Sequence, residues 1–206
     1  MLTGMTKWMA AASVAACMCT VGAQAQMAMK ADNKTMAKPA SGDKAGRSFD
    51  DLLGLAEQEI VANAEAMPAD KYDFAPSKAI FKEGQTVDFT SPKPVSTFGE
   101  MVKHLTGANY YFFATAENKP GAELKGLKDL KTKEQIVAAL KESFAFAHKS
   151  VSAMTVANGF DETESEGHKT TRAAAFAFGL MHMNDHYGQL NEYLRMNGIV
   201  PPASRK

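Results

Sequence analysis

Two histidines four residues apart, His182 and His186, carry the clearest chemistry in this chain of 206 residues. They lie in residues 173–202, AAAFAFGLMHMNDHYGQLNEYLRMNGIVPP, a stretch that reads as one long helix ending at Asn197-Gly198. Side chains at i and i+4 stand one turn apart on the same helix face, so both imidazoles can reach a single ion. Two ligands rarely hold a catalytic divalent metal, and a third must come from elsewhere. Of the five histidines, His104 is the best candidate. It sits beside the apolar stripe of another helix, in line with Ala108 and Tyr111, where it can point into a seam between helices. Three neutral imidazoles bind a divalent transition metal and leave one or more positions for water or substrate. A metal held in that way acts as a Lewis acid and lowers the pKa of bound water towards neutrality.

Plainer readings compete with this one. Taken alone, an H-x-x-x-H spacing is more often a pair of helix-surface histidines than a metal site. His148 follows Phe144 and Phe146 and reads as a partly buried packing residue, and His168 falls in a polar loop and reads as solvated. Glu100, one turn before His104, and Asp185, three residues after His182, are candidate hydrogen-bond partners for ligating imidazoles. A capping role for Glu100 and a solvated helix charge for Asp185 are the favoured alternatives. Asn109, Tyr111, Tyr187, Gln189 and Tyr193 are candidates to line the open face, with Tyr187 and Tyr193 reading better as packing residues. No catalytic residue is assigned.

Four helices are needed to position these side chains. Ser48 is a good N-cap with Asp50 and Asp51 after it, and Phe49, Leu52, Leu53, Leu55, Ala56, Ile60 and Ala64 form a stripe over residues 49–66. A long connection follows, residues 68–96, with Tyr72, Phe74 and Phe81 as expected anchors onto the core; Pro92 and Pro94 exclude a regular helix before the next element. Thr97 and Glu100 form a capping box that starts the second helix, whose stripe is Phe98, Met101, Val102, Leu105, Ala108, Asn109 and Phe112, and which should end near Asn118. Thr132 and Gln135 repeat the box and open the third helix, with Ile136, Ala139, Leu140, Phe144, Ala147 and Val151 on its buried face. An acidic loop, residues 161–169, leads into the fourth. No stretch alternates with β-branched residues, so a sheet is not expected. The class is all-α, a four-helix bundle with one long connection between helices one and two.

Composition narrows the function classes. The formal net charge is zero, so no basic footprint for nucleic acid or an anionic membrane is present. Thirteen methionines are many, but Met fills core gaps and carries no functional message alone. Residues 1–25 read as a signal peptide: Lys7 gives the positive start, residues 8–21 are apolar and Ala-rich, and Ala23-Gln24-Ala25 offers a small-x-small cut before Gln26. This run is too short for a convincing membrane span, so no transmembrane span is expected in the mature chain. Val14-Ala15-Ala16-Cys17 offers a rival, lipobox-like cut that would leave a lipoprotein anchored at Cys17, and a buried N-terminal helix is the bland alternative. The expected location is the periplasm or the extracellular space. Both cysteines, Cys17 and Cys19, lie in this leader. The mature chain therefore has no thiolate, and any metal must be held by His, Asp or Glu. Residues 26–47 read as a flexible linker or a frayed helix, and residues 48–204 as the domain.

Three stretches carry a resemblance: ADKYDFAPS (residues 69–77), TFGEMVKHLTGANYYFF (97–113) and HMNDHYGQLNEYLRMNGIVPPAS (182–204). The second and third are specific, above all HYGQ followed by YLR, NG and PP. Over residues 48–204 the chain resembles the DinB-like (DNA-damage-inducible) family, within the wider DinB/YfiT superfamily of candidate metalloenzymes. The resemblance implies an up-down-down-up four-helix bundle with a metal held by one histidine on the second helix and two on the fourth, here His104, His182 and His186. It implies zinc or nickel as the metal, and often a homodimer. Some relatives are thiol-dependent transferases acting on small molecules, and many have no established activity. Despite the family name, nothing basic here supports DNA binding. Two functions are therefore expected to compete. One is an exported metal-dependent hydrolase or S-transferase acting on an unknown small molecule. The other is a non-catalytic, metal-stabilised bundle serving as an envelope binding or interaction module. Low-molecular-weight thiols are mainly cytosolic, so export shifts the weight towards hydrolysis.

Overall fold

The computed structural model of the chain describes residues 44–77, 94–114, 119, 123–165 and 167–205, all within one compact unit, Pro39–Lys206. The leader over residues 1–25, the linker up to residue 43, Phe81 and Pro92 lie outside the described residues. Those described are mostly helical: α1 (Lys44–Ala66), α2 (Phe98–Phe112), the single turn α3 (Glu123–Gly126), α4 (Lys133–Ser152) and α5 (Arg172–Met196). Between α4 and α5 stands a two-stranded antiparallel sheet, β1 (Glu162–Ser165) and β2 (His168–Thr171). Each long helix packs against two others, α1 and α2 each touching both α4 and α5. No helix among the described residues is long and apolar enough to cross a membrane.

Local sequence explains most of the helix ends. Both expected capping boxes form, Thr97 with Glu100 on α2 and Thr132 with Gln135 on α4. At the end of α5, Gly198 takes φ 73°, Gly198 N–H donates to Arg195 O at 2.9 Å and Ile199 N–H donates to Leu194 O at 3.0 Å. This is the paired closure that a left-handed glycine allows. Three expectations need correction. α1 starts at Lys44, and Ser48 lies inside it, its hydroxyl donating back to Lys44 O. α2 stops at Phe112 rather than near Asn118: Phe113 leaves helical geometry and its ring stacks on Phe176, 5.1 Å between centroids. The sheet differs from the expectation of none; its strands, ETES and HKTT, contain no apolar residue, so the alternation of exposure along β1 has no apolar–polar pattern in the sequence.

The expected stripes of α2 and α4 are buried almost in full. On α1 the stripe is narrower than expected: Leu53, Ile60 and Ala64 are fully buried, while Leu52 and Leu55 are exposed. Tyr72 is anchored as expected, its hydroxyl donating to Ala64 O at 2.7 Å and its ring meeting Phe98 edge-on.

The α1–α4 seam holds an ion cluster. His148 on α4 is partly buried, as expected, but it is more than a packing residue. Its Nδ1 lies 2.5 Å from Asp50 Oδ1 and its Nε2 3.1 Å from Glu57 Oε2, both on α1. Carboxylates only accept, so both contacts are satisfied only when each ring nitrogen carries a proton. Burial opposes that charge, yet the hydrogen bonds to Glu57 and Asp50 outweigh it and raise the pKa above 6.5. The stabilisation is thus full below pH 6.5 and is lost as pH rises through the raised folded-state value. In urea titrations His148→Gln should cost about 1–3 kcal/mol near pH 6 and progressively less at alkaline pH. A difference that does not vary with pH would exclude the charged clamp.

Candidate metal centre

His104 comes from the second turn of α2, and His182 and His186 from successive turns of α5, the two helices that pack across this seam. The structure brings the three together. His104 Nε2 and His182 Nε2 are 3.1 Å apart, and one ligand atom from each ring can be chosen so that all lie within 4.8 Å of one another. Ring centroids are separated by 5.1 Å (His104–His182), 4.8 Å (His104–His186) and 4.4 Å (His182–His186). His104 is exposed and the other two are partly buried, so the group is reached from solvent on the α2 side. His148 and His168 stand apart, the first in the α1–α4 cluster and the second exposed on β2.

The donor set suits a divalent transition metal. Metal-bound imidazole must be neutral, and His182 is held neutral: burial first, then the neighbouring His186 and His104, lower its pKa to about 4 against a small opposing pull from Asp185. Gln189 selects the nitrogen that His186 presents. Its Nε2 donates to Asp185 Oδ2 at 3.0 Å, and its Oε1 lies 3.0 Å from His186 Nδ1. A carboxylate cannot donate, so the amide is oriented with its oxygen towards the ring, and Nδ1 must carry the proton. Nε2 is left as the lone-pair nitrogen. A hydrogen bond of this kind from the distal nitrogen is the usual support of a ligating histidine.

Other candidates sort differently. Glu100 is the capping residue, accepting from Thr97 N–H at 2.7 Å. Asp185 acts on the site through Gln189 and through its weak pull on the His182 charge. Asn109 is buried, its amide donating to Ser143 Oγ at 3.0 Å, and Tyr193 donates to Ser96 O at 2.9 Å. Tyr187 is half-buried against the core, and Tyr111 is exposed with its ring against Phe112. The sequence reading passed over the aromatic wall beside the histidines. Phe112 packs 5.3 Å from the His182 ring and 5.1 Å from Phe178, which precedes His182 by one turn. Helical spacing could have revealed it, since Phe178 is i−4 to His182 and Phe112 is i+8 to His104.

Gln189→Ala should release the His186 ring. In metal-free protein, ¹⁵N shifts should report a Nδ1–H tautomer for His186 in the wild type and a mixture in the variant. Metal affinity should fall about 10–100-fold. Unchanged shifts and unchanged affinity would remove Gln189 from the site.

A profile of the DinB superfamily matches residues 52–190. Among solved structures, a DinB-like protein from Bacillus subtilis, YjoA, is similar in fold, with a TM-score of 0.53 and 16% identity over 73% of this chain and 92% of that one. No curated protein matches the chain. The profile spans well over half of the sequence and includes all three histidines, and the chain belongs to the DinB superfamily.

Proposed function

We propose that this protein is an exported metalloenzyme in which His104, His182 and His186 hold a divalent ion, zinc or nickel, in an up-down-down-up four-helix bundle. The observation that carries this reading is the convergence of three imidazoles from two helices on one point of the α2–α5 seam. Membership of a metal-binding superfamily supports it. When bound, the metal would supply Lewis-acid activation of a water or thiol nucleophile. The chain's own contribution is to keep His182 neutral by burial, to fix the His186 tautomer through Gln189, and to shield one side of the site with Phe112 and Phe178. The exposed edge at His104 admits a small electrophile. Export favours hydrolysis over S-transfer, because thiol cosubstrates are mainly cytosolic.

The second reading, a metal-stabilised binding module, draws on the same geometry. Its ligands come from helices 78 residues apart in sequence, so an ion would tie α2 to α5. The two readings separate experimentally.

The mature chain, purified without a histidine tag, should bind about one equivalent of zinc or nickel. At a hundredfold excess over Kd, binding adds about 2.7 kcal/mol and raises Tm by about 5–10 °C. His104→Ala, His182→Ala and His186→Ala should each lose that shift. Full occupancy in these variants would sink the site. Metal-dependent hydrolysis or thiol conjugation in a substrate screen supports the enzyme; a Tm shift without turnover supports the module.

A further inference from the structure

A cleft of about 440 Å³ opens between β1, the end of α2 and the first turns of α5, and none of the three histidines lines it. Small-molecule sites span about 300–1,000 Å³. Its helix wall is aromatic, built from Tyr110, Phe112 and Phe176 with Ala175 beside them. These rings are held in place, Phe176 stacked on Phe113 and Phe112 against Phe178, so the wall does not collapse into the space.

The opposite wall is polar. Side chains alternate along β1, with Thr163 and Ser165 partly buried and Glu162 and Glu164 exposed. Glu162 is engaged by Lys169, whose Nζ donates to Oε1 at 2.8 Å. Two cations line the cleft: Lys119 is exposed, whereas Arg172 is partly buried and forms no ion pair among the described residues.

A cleft lined by a guanidinium and two hydroxyls across from an aromatic wall suits one kind of ligand. The planar fork takes a carboxylate through two parallel hydrogen bonds, the hydroxyls add donors, and the rings accept a flat apolar body. The acidic side chains at the rim, Asp161, Glu162 and Glu164, repel a polyanion such as a phosphate chain. We propose that the cleft is a second binding site, taking a small aromatic monocarboxylate with Arg172 as the anion-binding residue. The site shares no ligand histidine with the metal centre and stands whether or not a metal is bound.

Dansylglycine and dansylamide test this directly, because they share a fluorophore and differ in the carboxylate. In EDTA, the chain should bind dansylglycine at one saturable site, at least about tenfold tighter than dansylamide. Arg172→Gln should abolish the preference and Arg172→Lys should restore part of it. Ala175→Leu, which fills the space against the aromatic wall, should weaken both dyes, with circular dichroism confirming that each variant is folded. Equal affinity of the wild type for the two dyes overturns the proposal. So does a preference that survives in folded Arg172→Gln. Loss of dansylglycine binding in His182→Ala moves the ligand to the histidines and overturns it as well.

Discussion

The close approach of α2 to α5 at Gly179 is the constraint on which the candidate site depends. A Cβ at Gly179 would stand 2.7 Å from Phe113 Cε2 and 3.0 Å from Phe112 Cβ, so only a residue without a side chain fits there. Gly179 precedes His182 by three residues, so this contact sits beside the histidines on α5, while on α2 it lies two turns beyond His104. Forcing a methyl into a packed seam typically costs about 1–3 kcal/mol. The larger consequence is geometric. Two ring nitrogens 3.1 Å apart, one from each helix, keep that separation only while the helices keep theirs.

The other seams show how the four long helices are held in register. Apolar ridges in grooves define crossing angles loosely, and an all-hydrophobic seam tolerates sliding. Here each packed pair of long helices also carries a polar contact that has one correct position. His148 meets Asp50 and Glu57 between α1 and α4, and Asn63 donates to Asn191 at 2.9 Å between α1 and α5. Asn109 donates to Ser143 between α2 and α4, and His104 meets His182 between α2 and α5. Such pairs are costly when half-made, which is why they select a register. Asn109 illustrates the cost, since its buried Oδ1 has no partner among the described residues, a penalty of about 1–3 kcal/mol.

Most of the frame was legible because its signals are local. A capping box or a left-handed glycine closure spans only a few residues, and Thr97, Thr132 and Gly198 act where their sequence neighbours say they should. The histidine group was legible for a related reason. His182 and His186 are fixed by helical period, and His104 is fixed by lying at the edge of a stripe that has to be buried. What escaped detection depends on contacts distant in sequence. Gly46 can begin α1 early because it nests against Val151 O and Met154 O, where a Cβ would come within 2.5 and 2.7 Å. The hairpin rests on cross-strand pairs such as Thr163 with Thr170 and Glu164 with Lys169, which no periodicity announces. Gln189 was visible as a polar residue near the site, but its part in fixing a tautomer follows only from the way Asp185 orients its amide.

Phe112 links the two places where small molecules are expected to bind, since it lines the cleft and packs against His182. Whether it transmits anything depends on whether it has two positions. Coupling between sites requires an element with two discrete arrangements, each favoured by one ligand. Phe112 is 5% exposed and bounded by Phe178 and Tyr111 at 5.1 Å each, and Gly179 meets its backbone side closely. A ring held on these sides is a wall and not a switch. Arg172 and His182 are ten residues apart on α5, about 15 Å along the helix axis. A ligand shorter than that span occupies one site without altering the other; a longer one, anchored by its carboxylate at Arg172, would present its far end to the histidines along the Phe112 face.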